Sequence, residues 1–100
     1  MAQRKIIWSQ RAEEELYTIL DFYNQRNKST TYSIKLLSSV EKLIGLLPQN
    51  KHLGRLSENE FTRIIVKKEF LIFYEVYGDA IVIVSFWDSR QDQSKRLDKK

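Results

Sequence analysis

The sequence has no cysteine, one proline, three glycines and one histidine. The lack of cysteine excludes disulfide bonds and thiolate metal sites, and it fits a reducing compartment such as the cytoplasm. A single histidine excludes a multi-histidine metal site, and isolated glycines do not form a phosphate-binding loop. No apolar run suits a signal peptide or approaches the roughly 18 residues that span a bilayer. We therefore expect a cytoplasmic protein with no metal, no cofactor and no membrane contact.

The length of 100 residues and the formal charge of +4 at pH 7 indicate a single small domain. A chain of this size buries roughly two thirds of its unfolded surface, which is enough for a stable fold without a covalent crosslink. A modest positive charge permits contact with nucleic acid without requiring it. We expect one domain over residues 1–100.

Two amphipathic helices are predicted in the first half of the chain. Ser9 is a candidate N-cap for the first, the turn-forming residues 27–30 separate the two, and Pro48 ends the second. The apolar stripe of the first helix is Ala12, Leu16, Ile19, Leu20 and Tyr23. That of the second is Leu36, Leu37, Val40, Leu43, Ile44 and Leu47. The short connection predicts a helical hairpin.

Strand-forming residues lie before and after this hairpin. Residues 5–8 form one short run, and residues 61–87 are rich enough in β-branched and aromatic side chains for three strands. Gly78–Asp79 predicts a two-residue turn, and Lys67–Glu69 a three-residue loop. The predicted order is β-α-α-β-β-β, an α+β fold in which the helices pack on one face of an antiparallel four-stranded sheet.

Alternation along these strands predicts which side chains share a face of the sheet. The face toward the helices is predicted to hold Ile64, Val66, Phe70, Ile72, Tyr74, Val76, Ile81, Ile83, Ser85 and Trp87. The other is predicted to hold Phe61, Arg63, Ile65, Leu71, Phe73, Glu75, Tyr77, Val82, Val84, Phe86, Asp88 and Arg90. Because two helices cover only one face, and only the short C-terminal tail could reach the other, the second face is predicted to be open or covered by a partner.

Polar residues follow the last strand, where Asp88, Arg90 and Gln91 leave the sheet. Arg90 is predicted to share a face with Arg63, and such an arginine pair suits phosphate or the carboxylates of a partner. Ordinary ion pairs of the two arginines with Glu75 and Asp88 are an equally good interpretation.

Three further residues could contribute chemistry. Lys67 and Lys68 occupy a predicted hairpin tip, where lysines commonly serve solubility but can also bind a polyanion. His52 lies in a polar loop, where a solvated residue is more common than a general base. We find no nucleophile with an adjacent base and no carboxylate cluster.

Taken in order, these motifs resemble the RelE/ParE superfamily of bacterial toxins over nearly the whole chain. The matching pieces are W-S-x-x-A at Trp8–Ala12, the passage through Leu47, Pro48, Gly54 and Arg55, then Arg63, the F-Y-x-V of Phe73–Val76, and Arg90–Gln91. The resemblance implies the β-α-α-β-β-β fold and a toxin of a plasmid-stabilisation type toxin–antitoxin system, which arrests growth unless an antitoxin covers it.

The superfamily divides by target: RelE-like members cut mRNA in the ribosomal A site, and ParE-like members inhibit DNA gyrase. RelE-like members carry lysines on the second strand, an arginine on the third, another after the fourth, and an acid/base tyrosine or histidine near the C-terminus. Here Arg90 fits, but Leu71 occupies the third-strand position and no tyrosine or histidine follows Tyr77. These departures favour a ParE-like toxin that acts by binding.

The predicted contacts for antitoxin or target are Arg63, Leu71, Phe73, Glu75, Val84, Phe86, Arg90 and Gln91. The alternative is a ribosome-dependent endoribonuclease with the cations Arg55, Arg63, Lys67, Lys68 and Arg90. A third possibility is an inactive member that only binds antitoxin. The predicted partners are therefore an antitoxin and either DNA gyrase or the ribosome with its mRNA.

Overall fold

The computed structural model describes residues 4–89, which form two helices packed on a five-stranded sheet. The elements are β1 (Lys5–Trp8), α1 (Gln10–Asn27), α2 (Thr31–Ile44), β2 (Arg55–Leu56), β3 (Arg63–Lys67), β4 (Phe70–Tyr77) and β5 (Ala80–Asp88). The sheet order is β1-β5-β4-β3-β2. Within the described residues, neither helix has an apolar stretch long enough to cross a lipid bilayer.

The helical hairpin confirms the sequence prediction. Ser9 caps α1, since its Oγ accepts a hydrogen bond from the amide of Ala12 at 3.0 Å. Lys28 ends α1 in a left-handed conformation and donates its amide to the carbonyl of Asn24. The two predicted stripes supply most of the main core: Ala12, Leu16, Ile19, Tyr23, Leu36, Val40, Ile44 and Leu47 are all buried.

The sheet confirms the α+β class but differs from the predicted four antiparallel strands. The loop after α2 contributes the extra strand β2, which pairs antiparallel with β3. This additional reversal gives β3 and β5 the same direction as β1, so β1 pairs with β5 in parallel. A two-residue strand in a polar loop has no period-2 pattern, and for that reason the sequence did not reveal it.

The turn between β3 and β4 is one residue shorter than predicted. Lys67 pairs with Phe70, and only Lys68 and Glu69 form the turn. Lys68 adopts a positive φ of 55°, a conformation more usual for glycine or asparagine. Because a shift of one residue exchanges the two faces of a strand, Ile65 faces the helices, and Ile64 and Val66 face the other way.

A β-bulge in β5 causes the second departure from the predicted faces. The predicted register holds from the Tyr77–Ala80 pair to the Tyr74–Ile83 pair, after which Phe73 pairs with Ser85 and Val84 is the extra residue. Beyond the bulge the faces of β5 are exchanged. Phe86 therefore belongs to the core under the helices, and Trp87 belongs to the opposite face.

The opposite face has a hydrophobic cluster of its own, so the centre of this face is not open as predicted. This second cluster consists of Ile64, Leu71, Phe73 and Trp87, with Val84 packed against it. Phe73 is 0% exposed and Leu71 is 7% exposed. Large exposed apolar side chains on this face occur nearer the strand ends, at Ile7, Val66 and Tyr77.

Candidate functional site

The two described arginines of the predicted site lie on opposite faces of the sheet. On the β2–β3 pair, Arg55 is opposite Ile64 and Arg63 is opposite Leu56. Residues directly opposite share a face, so Arg55 lies on the side of the second cluster and Arg63 on the side of the helices. Arg55 is exposed and Arg63 is half-buried. The two guanidinium groups therefore do not form one cationic site.

Arg63 holds the loop that joins α2 to β2. Its Nη1 donates a hydrogen bond to the carbonyl of Gly54 at 2.8 Å. The buried hydroxyl of Tyr74 accepts the amide of Gly54 at 2.8 Å and donates to the carbonyl of Lys51 at 2.8 Å. The loop is thus attached to the sheet by three hydrogen bonds that satisfy both backbone groups of Gly54.

Burial raises the pKa of the Tyr74 hydroxyl, and the hydrogen bond from the Gly54 amide and the charge of Arg63 partly oppose that rise. The hydroxyl is committed to two backbone groups and is not accessible to a substrate. Its position therefore suits a structural role.

Glu75 lies on the face of the second cluster, away from the helices, and accepts hydrogen bonds from two hydroxyl groups. Its carboxylate accepts hydrogen bonds from Thr62 Oγ1 at 2.9 Å and from the hydroxyl of Tyr77. The hydrogen bond to Glu75 is the main cause of a raised pKa at Tyr77. The proposed ion pair between Arg63 and Glu75 is not formed in the described part of the chain, because the two side chains are on opposite faces.

Lys67 and Lys68 line a cleft of about 220 Å³ together with Lys35 from α2. Tyr32, Leu36, Ser39 and Phe70 complete its lining. Sequence reasoning identified the two turn lysines but missed Lys35. Lys35 comes close to the two turn lysines only because α2 packs beside the β3–β4 turn. Nothing in the polar side of an amphipathic helix indicates such a contact in the sequence.

The remaining predicted contacts are dispersed. Leu71 and Phe73 are buried in the second cluster, Val84 is half-buried at the bulge, and Phe86 is in the core under the helices. A role of these residues in binding stays a prediction. Arg90 and Gln91 lie outside the described residues.

Sequence reasoning also missed the contacts of Glu15 in α1. Its Oε1 accepts Ser85 Oγ at 2.7 Å and the amide of Phe86 at 3.2 Å, while Oε2 lies 3.5 Å from Arg11 Nε. Glu15 thereby fixes the bulge of β5 to α1. Over residues 4–89, no group of three or more histidine, cysteine, aspartate or glutamate side chains is arranged to hold a metal ion.

A family model described as "ParE toxin of type II toxin-antitoxin system, parDE" matches residues 6–93. The chain belongs to this ParE toxin family. Membership confirms the predicted superfamily and its ParE-like branch, and it implies a cognate antitoxin as a partner. No curated protein sequence shows a significant match.

Solved structures agree with the fold of this ParE family member. A chain of the chromosomal ParDE toxin–antitoxin system from P. aeruginosa is 22% identical, with a TM-score of 0.75, and the match covers 86% of this chain and 96% of that one. YafQ from E. coli strain BL21(DE3) is 14% identical, with a TM-score of 0.54, and the match covers 86% and 93% of the two chains. The fold of the toxin is therefore shared with both.

Proposed function

We propose that this ParE family toxin arrests growth by binding and inhibiting DNA gyrase, and that its cognate antitoxin neutralises it by binding the toxin directly. The observation that carries the proposal is the match of the ParE toxin model to residues 6–93. Inhibition by binding needs a complementary surface and no catalytic group.

The hydroxyl groups of Tyr74 and Tyr77 are unsuited to RNA cleavage. Cleavage at a 2′-hydroxyl needs a group that moves protons and cations that stabilise the developing phosphorane. Tyr74 is buried and bonded to the backbone, and Tyr77 is bonded to Glu75, with the pKa of both tyrosines raised. A raised pKa makes a tyrosine a poorer base near pH 7. This supports a toxin that acts by binding.

A ribosome-dependent endoribonuclease is the second candidate, and the grouping of Lys35, Lys67 and Lys68 in one cleft favours it. Such a cluster can hold the phosphates of mRNA. In this proposal the cations would come from these lysines and from Arg90, and a group other than Tyr74 or Tyr77 would move the protons.

The test is pulse incorporation of labelled thymidine and labelled leucine within minutes of inducing the toxin without its antitoxin. Gyrase inhibition predicts that thymidine incorporation falls first. An earlier fall of leucine incorporation contradicts the gyrase proposal and favours the ribonuclease. Continued growth with neither change would identify an inactive family member.

Arg90→Ala refines the same experiment, because the resemblance places this arginine among the functional residues. We expect the substitution to abolish growth arrest. The control is Arg26→Ala, which removes the same charge from the exposed last turn of α1. Equal toxicity of both variants would remove Arg90 from the proposed contact surface.

A further inference from the structure

The cleft beside the β3–β4 turn concentrates positive charge. Lys35, Lys67 and Lys68 line it, and no acidic side chain is among its lining residues. None of these three ammonium groups has an ion pair or hydrogen bond to another residue of the range 4–89. Like charges held together without a counter-ion repel one another, so an anion that enters the cleft gains three favourable interactions.

The fold fixes the position of these lysines. Lys67 is opposite Phe70, so its side chain lies on the face that carries the helices. The amide of Ser89 donates to the carbonyl of Glu69 at 2.7 Å, which attaches the turn to the end of β5. Lys35 precedes the buried Leu36 on α2. Helix and turn thus present their charges from two sides of a preformed cleft.

The lining favours an acidic side chain of a protein over a nucleotide. Recognition of single-stranded nucleic acid combines cations with exposed aromatic rings on which bases stack. Phe70 is 0% exposed, and the ring of Tyr32 packs on Tyr23 at a centroid distance of 4.8 Å. The volume of about 220 Å³ is also below the roughly 300–1,000 Å³ usual for small-molecule sites. It suits a single carboxylate-bearing side chain.

We propose that this lysine cleft is a docking point for glutamate or aspartate side chains of an acidic segment in a partner protein. The proposal extends the interaction surface beyond the open sheet face predicted from the sequence. It does not depend on the gyrase proposal, so either of the two can fail while the other holds. It competes with the ribonuclease candidate, which would place phosphates of mRNA in the same cleft.

The test uses the purified full chain and two probes at low ionic strength: a peptide of alternating glutamate and leucine, and an oligothymidylate of similar charge. Binding is followed by NMR, with amide shifts used to locate the site. We expect the peptide to shift the amides of Lys35, Lys67 and Lys68. Stronger binding of the oligothymidylate at these residues would overturn the proposal, as would peptide binding that leaves these amides unmoved.

Charge-reversal variants provide the matched comparison. We expect Lys35→Glu with Lys67→Glu to weaken peptide binding about tenfold, because two attractions become two repulsions. Lys5→Glu reverses one charge at an exposed position of β1, which pairs with the opposite end of β5, and it should leave the affinity within about twofold. The thermal midpoint of each variant confirms that it is folded. Equal affinities for the wild type and the double variant would refute the proposal.

Discussion

Gly54 occupies a position at which a methyl group has no space. A Cβ atom added there would lie 2.8 Å from Cε1 of Tyr74 and 2.9 Å from the carbonyl oxygen of Ile64. Carbon atoms in contact are normally about 3.5–4.0 Å apart, so the loop must move away from β3. That movement would stretch the hydrogen bonds that Gly54 makes to Tyr74 and Arg63.

We expect Gly54→Ala to lower the free energy of unfolding by about 1–3 kcal/mol, the usual cost of overpacking, with more if the Gly54 amide loses its partner. Equilibrium unfolding in urea measures the change. Gly45→Ala is the control, because Gly45 ends α2 with a right-handed helical backbone, φ −61°. It should change the free energy by less than about 1 kcal/mol, since alanine favours helix over glycine. A Gly54→Ala protein as stable as the wild type would refute this account of the loop.

Two further predictions concern buried side chains. Tyr74→Phe should lower the free energy of unfolding by about 1–3 kcal/mol, because the buried amide of Gly54 loses its acceptor. Tyr17→Phe, at an exposed position of α1, should lower it by less than about 0.5 kcal/mol in the same urea titration. Since the pKa of Tyr74 is raised, the unfolded chain releases this proton first as the pH passes about 10, so stability should fall there and fall less steeply in Tyr74→Phe. Phe73→Ala should lower the free energy of unfolding by about 3–5 kcal/mol. Val66→Ala, on the same face but 59% exposed, should lower it by less than about 1 kcal/mol. An equally steep alkaline loss of stability in the wild type and in Tyr74→Phe, or equal losses of stability in Phe73→Ala and Val66→Ala, would contradict these assignments.

The helices were predictable because their signals are local. Ser9 supplies a side-chain cap, and the stripes of both helices repeat at the helical period, so the elements and their buried residues follow from the sequence. The β4–β5 turn was predictable for the same reason, since Gly78 adopts the positive φ of 44° that a tight turn requires.

The faces of the sheet were less predictable, because an error of one residue in the pairing assigns every following side chain of the strand to the wrong face. A single extra residue, Val84, exchanges the faces of the last part of β5, and the short turn at Lys68 does the same to β3. Neither Val84 nor Lys68 is a glycine or asparagine, which would have indicated a bulge or a tight turn. Phe73 was consequently predicted on the correct face but with the wrong neighbours and the wrong exposure.

The candidate site was only partly predictable, since side chains far apart in sequence decide it. The passage from Leu47 to Arg55 was one of the pieces that carried the resemblance, and the structure explains its Gly54 through the contact with Tyr74, twenty residues away. The separation of Arg55 from Arg63 follows from β2, which the sequence did not reveal. Lys35 joins Lys67 and Lys68 only through packing of α2 beside the turn.

The most direct test of the central claim is DNA supercoiling by purified gyrase on a relaxed plasmid, with the purified toxin added in increasing amounts. The account predicts that supercoiling is lost as toxin is added and restored when the cognate antitoxin is included. Undiminished supercoiling at a large molar excess of a toxin preparation that arrests growth would contradict it.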